Sequence, residues 1–481
     1  MRSCRQILRS MYSQYVYASH VRNIIKTLSL IACLGVAITS PLVNECNALP
    51  SFARQLDTQC IACHTEFPIL TDMGRQFKLS GYTMSAENTD FPPIAFMLMP
   101  SFTMTQKGQD GGAAPNFHDN NNFAVSQFSV FYAGRLFGPY ATKAFDPSIA
   151  AVLNKFGIFS QTTYDGISKN WYWDNTDIRY ADMGSVAGHT LQYGLSLNNN
   201  PTVEDLWNTV PAWGFPFSQS GLAPTPAAGT VLDGGLAQQV GGLNFYTMID
   251  SHLYIDVGEY RTINTKTQKS LGIDPSSENK IKGLAPYWRL AYTQTLGNYT
   301  VETGVFGLSG RVYPGGDNSS GTDKFTDIGL DSEIQTSFDK NDLTYLVTLI
   351  REDISSPASL ALGDTSHKSD NLTTLKTSFD YLWNKTAGGA VQYFYTQGSN
   401  NPLLYSSSQT GSPNSNGFIF QLNYMPLNLG TGPAAWPRSN VKISLQYVAY
   451  NRFDGSVNNI DGAGRKASDN NTLYLETWIA F

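Results

Sequence analysis

Cysteine is absent from most of this chain. The sequence has 481 residues and five cysteines, all of which lie within its first 63 residues. Because a disulfide needs two cysteines, no disulfide framework can stabilise the rest of the chain. The part after residue 63 is therefore not a disulfide-stapled secreted scaffold.

Charge is also scarce. Asp, Glu, Lys and Arg make up 15% of the residues, against about 25% in typical soluble domains. The net charge is −6, and there is no basic stripe of the kind that binds phosphate backbones, so we expect no nucleic-acid partner. Tyr and Phe are plentiful at 26 each, which favours strands over helices.

Residues 1–48 have the pattern of a secretory signal peptide. Several Arg and Lys residues precede an apolar stretch at 28–38, and Cys46-Asn47-Ala48 fits a small-x-Ala cleavage site. An uncleaved inner-membrane anchor is the alternative, but the apolar stretch is shorter than the about 20 residues that a spanning helix needs. We predict that residues 1–48 direct export and are removed.

No apolar run of helix length follows the signal, but many segments alternate between apolar and polar residues. Examples are VKISLQY (441–447), LKTSFDY (375–381) and LYIDV (253–257). About 16 such segments occur, each near the 9–11 residues that a tilted membrane strand needs. Closure into a barrel lets such strands cross a membrane, because it pairs every backbone group.

The end of the chain supports a membrane barrel. Leu473, Leu475, Ile479 and the terminal Phe481 fall on one face of a last strand, which resembles the assembly signal of bacterial outer-membrane proteins. We therefore predict a mainly β fold, an outer-membrane antiparallel β-barrel of about 16 strands over residues 91–481. A water-soluble β-sandwich is the alternative.

The strongest chemical signal is Cys60-Ile61-Ala62-Cys63-His64. Two thiols at this spacing can reach the two vinyl groups of one porphyrin, and the adjacent imidazole can ligate its iron. A thioredoxin-like redox pair and half of a zinc site are the alternatives, but the first needs a βαβ setting and the second needs more Cys or His nearby. We predict one covalent haem c in a short helical cytochrome segment at 49–90, with His64 as an axial iron ligand.

The sixth iron ligand is not fixed by the sequence. In the first predicted strand Phe96 and Leu98 share one face and should meet lipid, while Met97 and Met99 share the other and should face the lumen. Met97 or Met99 could therefore ligate the iron, or both could only pack against the porphyrin. A thioether ligand would tend to raise the haem potential.

Charged residues offer two further hypotheses. Arg54, Arg75 and Lys78 flank the motif and could pair with the haem propionates, or could form ordinary ion pairs. Polar-face acids could attract a hard cation such as Fe(II), or could simply form a water-facing wall, as in other barrels; these acids are Asp256, Glu302, Asp380 and Glu476.

Several segments together resemble a known family. LPSFARQ (49–55), CIACHTEFP (60–68) and GRQFKLSGY (74–82) resemble the fused cytochrome–porins of Fe(II)-oxidising bacteria, as do NNNPTV (198–203) and PAWGFP (211–216). These are outer-membrane monohaem c-type cytochromes. Cys60, Cys63 and His64 match the family's haem ligands, whereas the barrel matches mainly in pattern.

The resemblance implies a function. It implies an electron-transfer oxidoreductase that oxidises Fe(II) at the cell surface and passes single electrons to a periplasmic cytochrome c or blue-copper protein. Two alternatives stay open: a porin with a haem-bearing plug, and a surface oxidoreductase for another inorganic donor.

Overall fold

The computed structural model describes residues 49–86, 93–271, 279–428 and 439–481. The predicted signal peptide, residues 1–48, lies outside the described residues. Within the described ranges, no helix combines the length and the apolar character needed to cross a membrane.

Sixteen long strands form one closed antiparallel barrel, as predicted. Each strand pairs with its neighbours in chain order, and β1 pairs with β17 to close the ring. A two-residue strand, β8, adds to the edge of β10 between β7 and β9. The strands are β1 (Ile94–Thr105), β2 (Asn122–Arg135), β3 (Phe156–Asp165), β4 (Asn170–Val186), β5 (His189–Asn198), β6 (Val240–Ile249), β7 (Leu253–Thr262), β8 (Lys280–Ile281), β9 (Ala285–Leu296), β10 (Tyr299–Tyr313), β11 (Asp323–Phe338), β12 (Asn341–Ser355), β13 (Ser369–Trp383), β14 (Ala387–Gly398), β15 (Ser415–Tyr424), β16 (Asn440–Arg452) and β17 (Thr472–Ala480).

Many of these strands are longer than predicted. They run from 9 residues in β17 to 17 in β4, whereas about 9–11 residues suffice to cross the hydrocarbon core. The extra residues continue the backbone hydrogen-bond ladder beyond the membrane. In these longer strands the alternation in the sequence marked only part of the strand.

The outer wall is apolar and the inner wall is polar. In β6, Leu243 and Phe245 are exposed on the outside, while Asn244 and Tyr246 are buried in the lumen. A closed barrel with an apolar outer band satisfies all its backbone groups in lipid. The protein is a β-barrel of the bacterial outer membrane.

The two ends of the barrel differ. At the end where β1 begins and β17 stops, most connections are tight turns, such as 187–188, 297–298 and 339–340. At the other end they are longer, as in 106–121 and 453–471. Short turns mark the periplasmic end of such barrels and long loops the extracellular end.

Short helices lie in the connections and in the N-terminal segment. They are α1 (Pro50–Leu56), α2 (Cys60–Cys63), α3 (Asp72–Leu79), α4 (Tyr140–Ala144), α5 (Pro147–Leu153), α6 (Thr265–Ser270) and α7 (Pro357–Leu362). Single turns of 3-10 helix occur at Pro211–Trp213, Pro314–Gly316 and Ala467–Asn470, and a π-type turn at Val231–Gly235.

The lumen is filled by two segments of the chain. Residues 49–86, called here the N-terminal plug, contact the inner wall of several strands. Residues 199–239, called here the β5–β6 insert, fold inward from the extracellular end and bury Leu206, Trp207 and Phe215. The lumen of the barrel is therefore filled by the protein's own chain.

Candidate functional site

The plug begins with three short helices that its local sequence defines. Pro50 opens α1, and Asp57 ends it in the left-handed region with φ 49°. The Thr71 hydroxyl caps α3 by accepting a hydrogen bond from the Gly74 amide at 3.3 Å. A Cβ at Gly74 would lie 2.3 Å from the Cys63 carbonyl oxygen, so only glycine allows α3 to pack this closely on α2.

The two thiols of the motif share one side of a helical turn. Cys60 and Cys63 are three residues apart in α2 and are buried with Ala53 and Phe67. Burial raises the pKa of Cys63 to about 11, whereas the reactive thiol of a redox pair needs a lowered pKa. In the described part of the chain, no three His, Cys, Asp or Glu side chains are grouped to hold a metal ion.

His64 follows α2 in extended conformation and pairs with Leu70. Its Nδ1 is buried and has no hydrogen-bond partner among the described residues. Burial lowers its pKa to about 4, although backbone groups of Ile69 and Pro68 oppose this. The imidazole is therefore neutral near pH 7, which is the form that ligates metals.

A cavity of about 630 Å³ lies beside the motif. Cys63 and His64 line it, together with Met97 and Met99 of β1. Its size is within the about 300–1,000 Å³ that is usual for ligand and cofactor sites, and such sites are mostly apolar. The apolar and aromatic part of the lining also includes Leu49, Phe52, Phe67, Leu70, Phe77, Tyr82, Phe131, Phe159, Trp213, Phe217 and Trp478.

These residues fit a c-type haem. Two thiols on one helical turn, a neutral imidazole with an unpartnered nitrogen and an apolar cavity are what such a group requires. Cys60 and Cys63 would hold the porphyrin covalently, and His64 would ligate its iron. Haem binding itself stays a prediction.

Met97 and Met99 lie on the lumen face of β1, as the alternation of that strand predicted. Both side chains are buried and line the cavity, while Phe96 and Leu98 lie on the opposite face of β1. Ligation of the iron by either methionine stays a prediction.

Of the three predicted propionate partners, only Lys78 lines the cavity. Its Nζ lies 4.7 Å from the centre of the Trp213 ring and donates to the Asp205 carbonyl oxygen. Burial and the nearby Arg179 lower the pKa of Lys78 to about 7.

The two arginines are placed elsewhere. Arg75 is buried outside the cavity lining and pairs with Glu333 of β11 and with Asp72. Arg54 donates to the Ile94 carbonyl oxygen at the start of β1. Arg75 therefore forms an ordinary ion pair, which is the alternative that the sequence had left open.

The predicted acids face the lumen, but they do not form a water-facing wall. Asp256, Glu302, Asp380 and Glu476 are all buried, because the two lumenal segments cover them. They are engaged with neighbouring side chains: Glu302, for example, pairs with Arg289 at 3.0 Å. Only Glu476 also lines the cavity.

The β5–β6 insert is the part of the site that the sequence did not reveal. Asn208, Trp213 and Phe217 of this insert form one side of the cavity. The sequence offered two signals there, a stretch without strand alternation at 201–240 and the family resemblance of 198–203 and 211–216, but neither placed the segment in the lumen. An irregular stretch of that length in a barrel either leaves the lumen or folds into it, and sequence alone does not decide between them.

No protein-family model and no curated protein matches this chain. Solved structures that match include OmpT of Vibrio cholerae as a loop L8 deletion mutant (9% identity, 81% of this chain and 98% of that chain, TM-score 0.42). Others are an anion-selective porin from Comamonas acidovorans (11%, 80% and 98%, 0.42) and the outer membrane channel DcaP of Acinetobacter baumannii (9%, 81% and 96%, 0.42). The class that the fold defines is an outer-membrane β-barrel with a chain-filled lumen.

Proposed function

We propose that this protein is a monohaem c-type cytochrome of the outer membrane that oxidises extracellular Fe(II) and passes single electrons to a periplasmic carrier. The observation that carries the proposal is the position of the Cys60–His64 motif beside an apolar cavity inside a closed barrel. A bound haem would supply the one-electron couple. One electron leaves Fe(II), giving Fe(III), and one electron reduces a cytochrome c or blue-copper protein.

The residues of the plug would fix the cofactor within the lumen. Cys60 and Cys63 would anchor it, and His64 is held between α2 and the strand-like pairing to Leu70. The apolar lining around the motif would shield a bound redox group from solvent, and burial of this kind is one of the levers that set a haem's potential.

The cavity extends towards the cell surface. It begins near Ala480 and Met97, close to the periplasmic end of the barrel, and its far wall includes Asp165 and Ile167 at the extracellular end of β3. The lining is apolar around the motif and polar farther out, where it includes Gln161, Asp174 and Asn175. This gradient suits a hydrated cation outside and a shielded cofactor within.

The filled lumen favours an electron conduit over a porin. Large side chains of the plug and the insert, such as Phe77 and Trp207, are buried inside the barrel. A solute pore needs a continuous water-filled channel. In a planar bilayer we therefore expect small conductance, and a large open-channel current would favour the porin with a haem-bearing plug.

Mixing with Fe(II) tests the proposal. Purified protein should contain covalently bound haem, and its optical spectrum should change to the reduced form when Fe(II) is added. His64→Ala should abolish this response, whereas His252→Ala, at an exposed turn histidine, should not. A wild-type protein that lacks haem, or stays oxidised in excess Fe(II) over a range of pH, contradicts the proposal.

A screen of other electron donors tests the remaining alternative. A surface oxidoreductase for another inorganic donor, such as a reduced sulfur compound, would be reduced by that donor and not by Fe(II). A parallel donor screen on the same preparation distinguishes the two.

A further inference from the structure

One periplasmic connection differs from the tight turns around it. Residues 136–155 join β2 to β3 and form the two short helices α4 and α5. They project beyond the rim of the barrel, with Ala141 and Ala150 as their buried side chains. This connection is called here the β2–β3 hairpin.

The large apolar side chains of the hairpin point away from the protein. Phe145, Ile149 and Val152 are about half exposed. Ile149 and Val152 are three residues apart in α5 and share one helical face, while Phe145 follows the end of α4 in extended conformation. Tyr140 is exposed as well. A helix next to water normally shows the reverse arrangement, with its large apolar residues turned inward.

An outward-facing row of aromatic rings links the hairpin to the lipid-facing wall. Phe137 contacts Phe156 with ring centres 6.2 Å apart, and Phe156 contacts Tyr180 at 5.2 Å. Phe156 and Tyr180 face outward because their chain neighbours Gly157 and Arg179 are buried on the lumen side. Such aromatic rows mark the level of the membrane–water interface.

Charged groups border this apolar face. Lys143 is exposed at the end of α4, and Lys155 at the start of β3 pairs with Asp182 at 2.5 Å. Lysine at this depth can extend its ammonium group towards phosphates while its aliphatic stem stays near the acyl chains. Asp146, between α4 and α5, is exposed as well, so the apolar face is bordered by charges of both signs, which suits the zwitterionic headgroups of a phospholipid leaflet.

We propose that the β2–β3 hairpin is an interfacial anchor that inserts Phe145, Ile149 and Val152 among the acyl chains of the periplasmic leaflet. Its partner is the phospholipid surface itself. The inference depends on the membrane barrel and not on the haem or on Fe(II), so it can fail while the proposed function stands.

Site-directed labelling of the whole protein tests the anchor. Ile149→Cys and Val152→Cys are labelled with a polarity-sensitive fluorophore and reconstituted in phosphatidylcholine vesicles. Leu403→Cys is the matched control, because Leu403 is equally exposed but lies in the extracellular connection 399–414. Wild-type protein taken through the same labelling gives the background from native cysteines.

We expect the label at 149 and 152 to be quenched by lipids with a nitroxide near the headgroup and protected from aqueous iodide. The label at 403 should show the opposite behaviour. Iodide quenching at 149 and 152 without lipid quenching would overturn the proposal. A label shielded only after a periplasmic redox protein is added would also overturn it and would assign the hairpin to protein docking.

Discussion

Arg75 of the N-terminal plug and Glu333 of strand β11 form a buried ion pair, with 3.2 Å between Nη1 and Oε2. A second buried pair joins Glu66 of the plug to Lys442 of β16 at 2.8 Å. The strands β11 and β16 lie apart in the barrel order. The plug is therefore held to the wall at separated points, which fixes the motif between them.

Breaking the first of these pairs should loosen the plug. Arg75→Met leaves Glu333 as a buried charge without its cation, and such a loss costs about 3–5 kcal/mol. We expect a lower free energy of unfolding and faster proteolysis of residues 49–86. Arg351→Met is the control, since its pair with Asp353 is exposed and should contribute about 0–1 kcal/mol. Equal effects of the two substitutions would contradict this role of Arg75.

Gly74→Ala should reduce haem attachment. The added Cβ would lie 2.3 Å from the Cys63 carbonyl oxygen, so α3 must move away from α2. Overpacking of this kind typically costs about 1–3 kcal/mol. Gly229→Ala, where the nearest atom would be 3.6 Å away, is the matched control in the other lumenal segment. Haem content per protein, measured after denaturation, distinguishes the two variants, and full attachment in Gly74→Ala would refute the prediction.

The methionines of β1 allow a test of the sixth ligand. Met97→Leu and Met99→Leu preserve size and apolar character but remove the thioether. If one of them ligates the iron, that variant should lose the His/Met optical and magnetic signature and its haem potential should fall. If both spectra stay unchanged, Met97 and Met99 only pack against the cofactor.

Lys78 should make stability depend on pH. Its pKa is about 7 in the folded protein and 10.5 without burial, so between these values the unfolded chain binds more protons. Stability then rises with pH by up to about 1.4 kcal/mol per pH unit across this window. Lys78→Met should lack this rise when the free energy of unfolding is measured in urea at pH 6, 8 and 10. A parallel rise in both proteins would show that Lys78 is not its source.

Strand alternation predicted the barrel well because each strand separates lipid from a packed lumen. The face that carries Met97 and Met99 was identified correctly, and so was the outward face of β17. The ends of strands such as β4 were missed, because residues 183–186 are exposed on both faces and no alternation is required there.

The lumen was less predictable than the wall. Cys60, Cys63 and His64 could be predicted as a haem site from spacing alone, because covalent attachment would require neighbours in sequence; haem binding stays a prediction. The roles of Arg75 and Lys78 could not, since they depend on partners far along the chain, Glu333 and Asp205. The contribution of the β5–β6 insert to the cavity could not be predicted either, because it also depends on contacts between residues far apart in the chain.

Electron transfer across a vesicle membrane tests the central claim most directly. Protein is reconstituted in vesicles that enclose oxidised cytochrome c and an impermeant iron chelator, and Fe(II) is added outside. The account predicts that the enclosed cytochrome c is reduced while no iron reaches the chelator, and that His64→Ala vesicles show no reduction. Enclosed cytochrome c that stays oxidised, or is reduced only as iron appears inside, would contradict it.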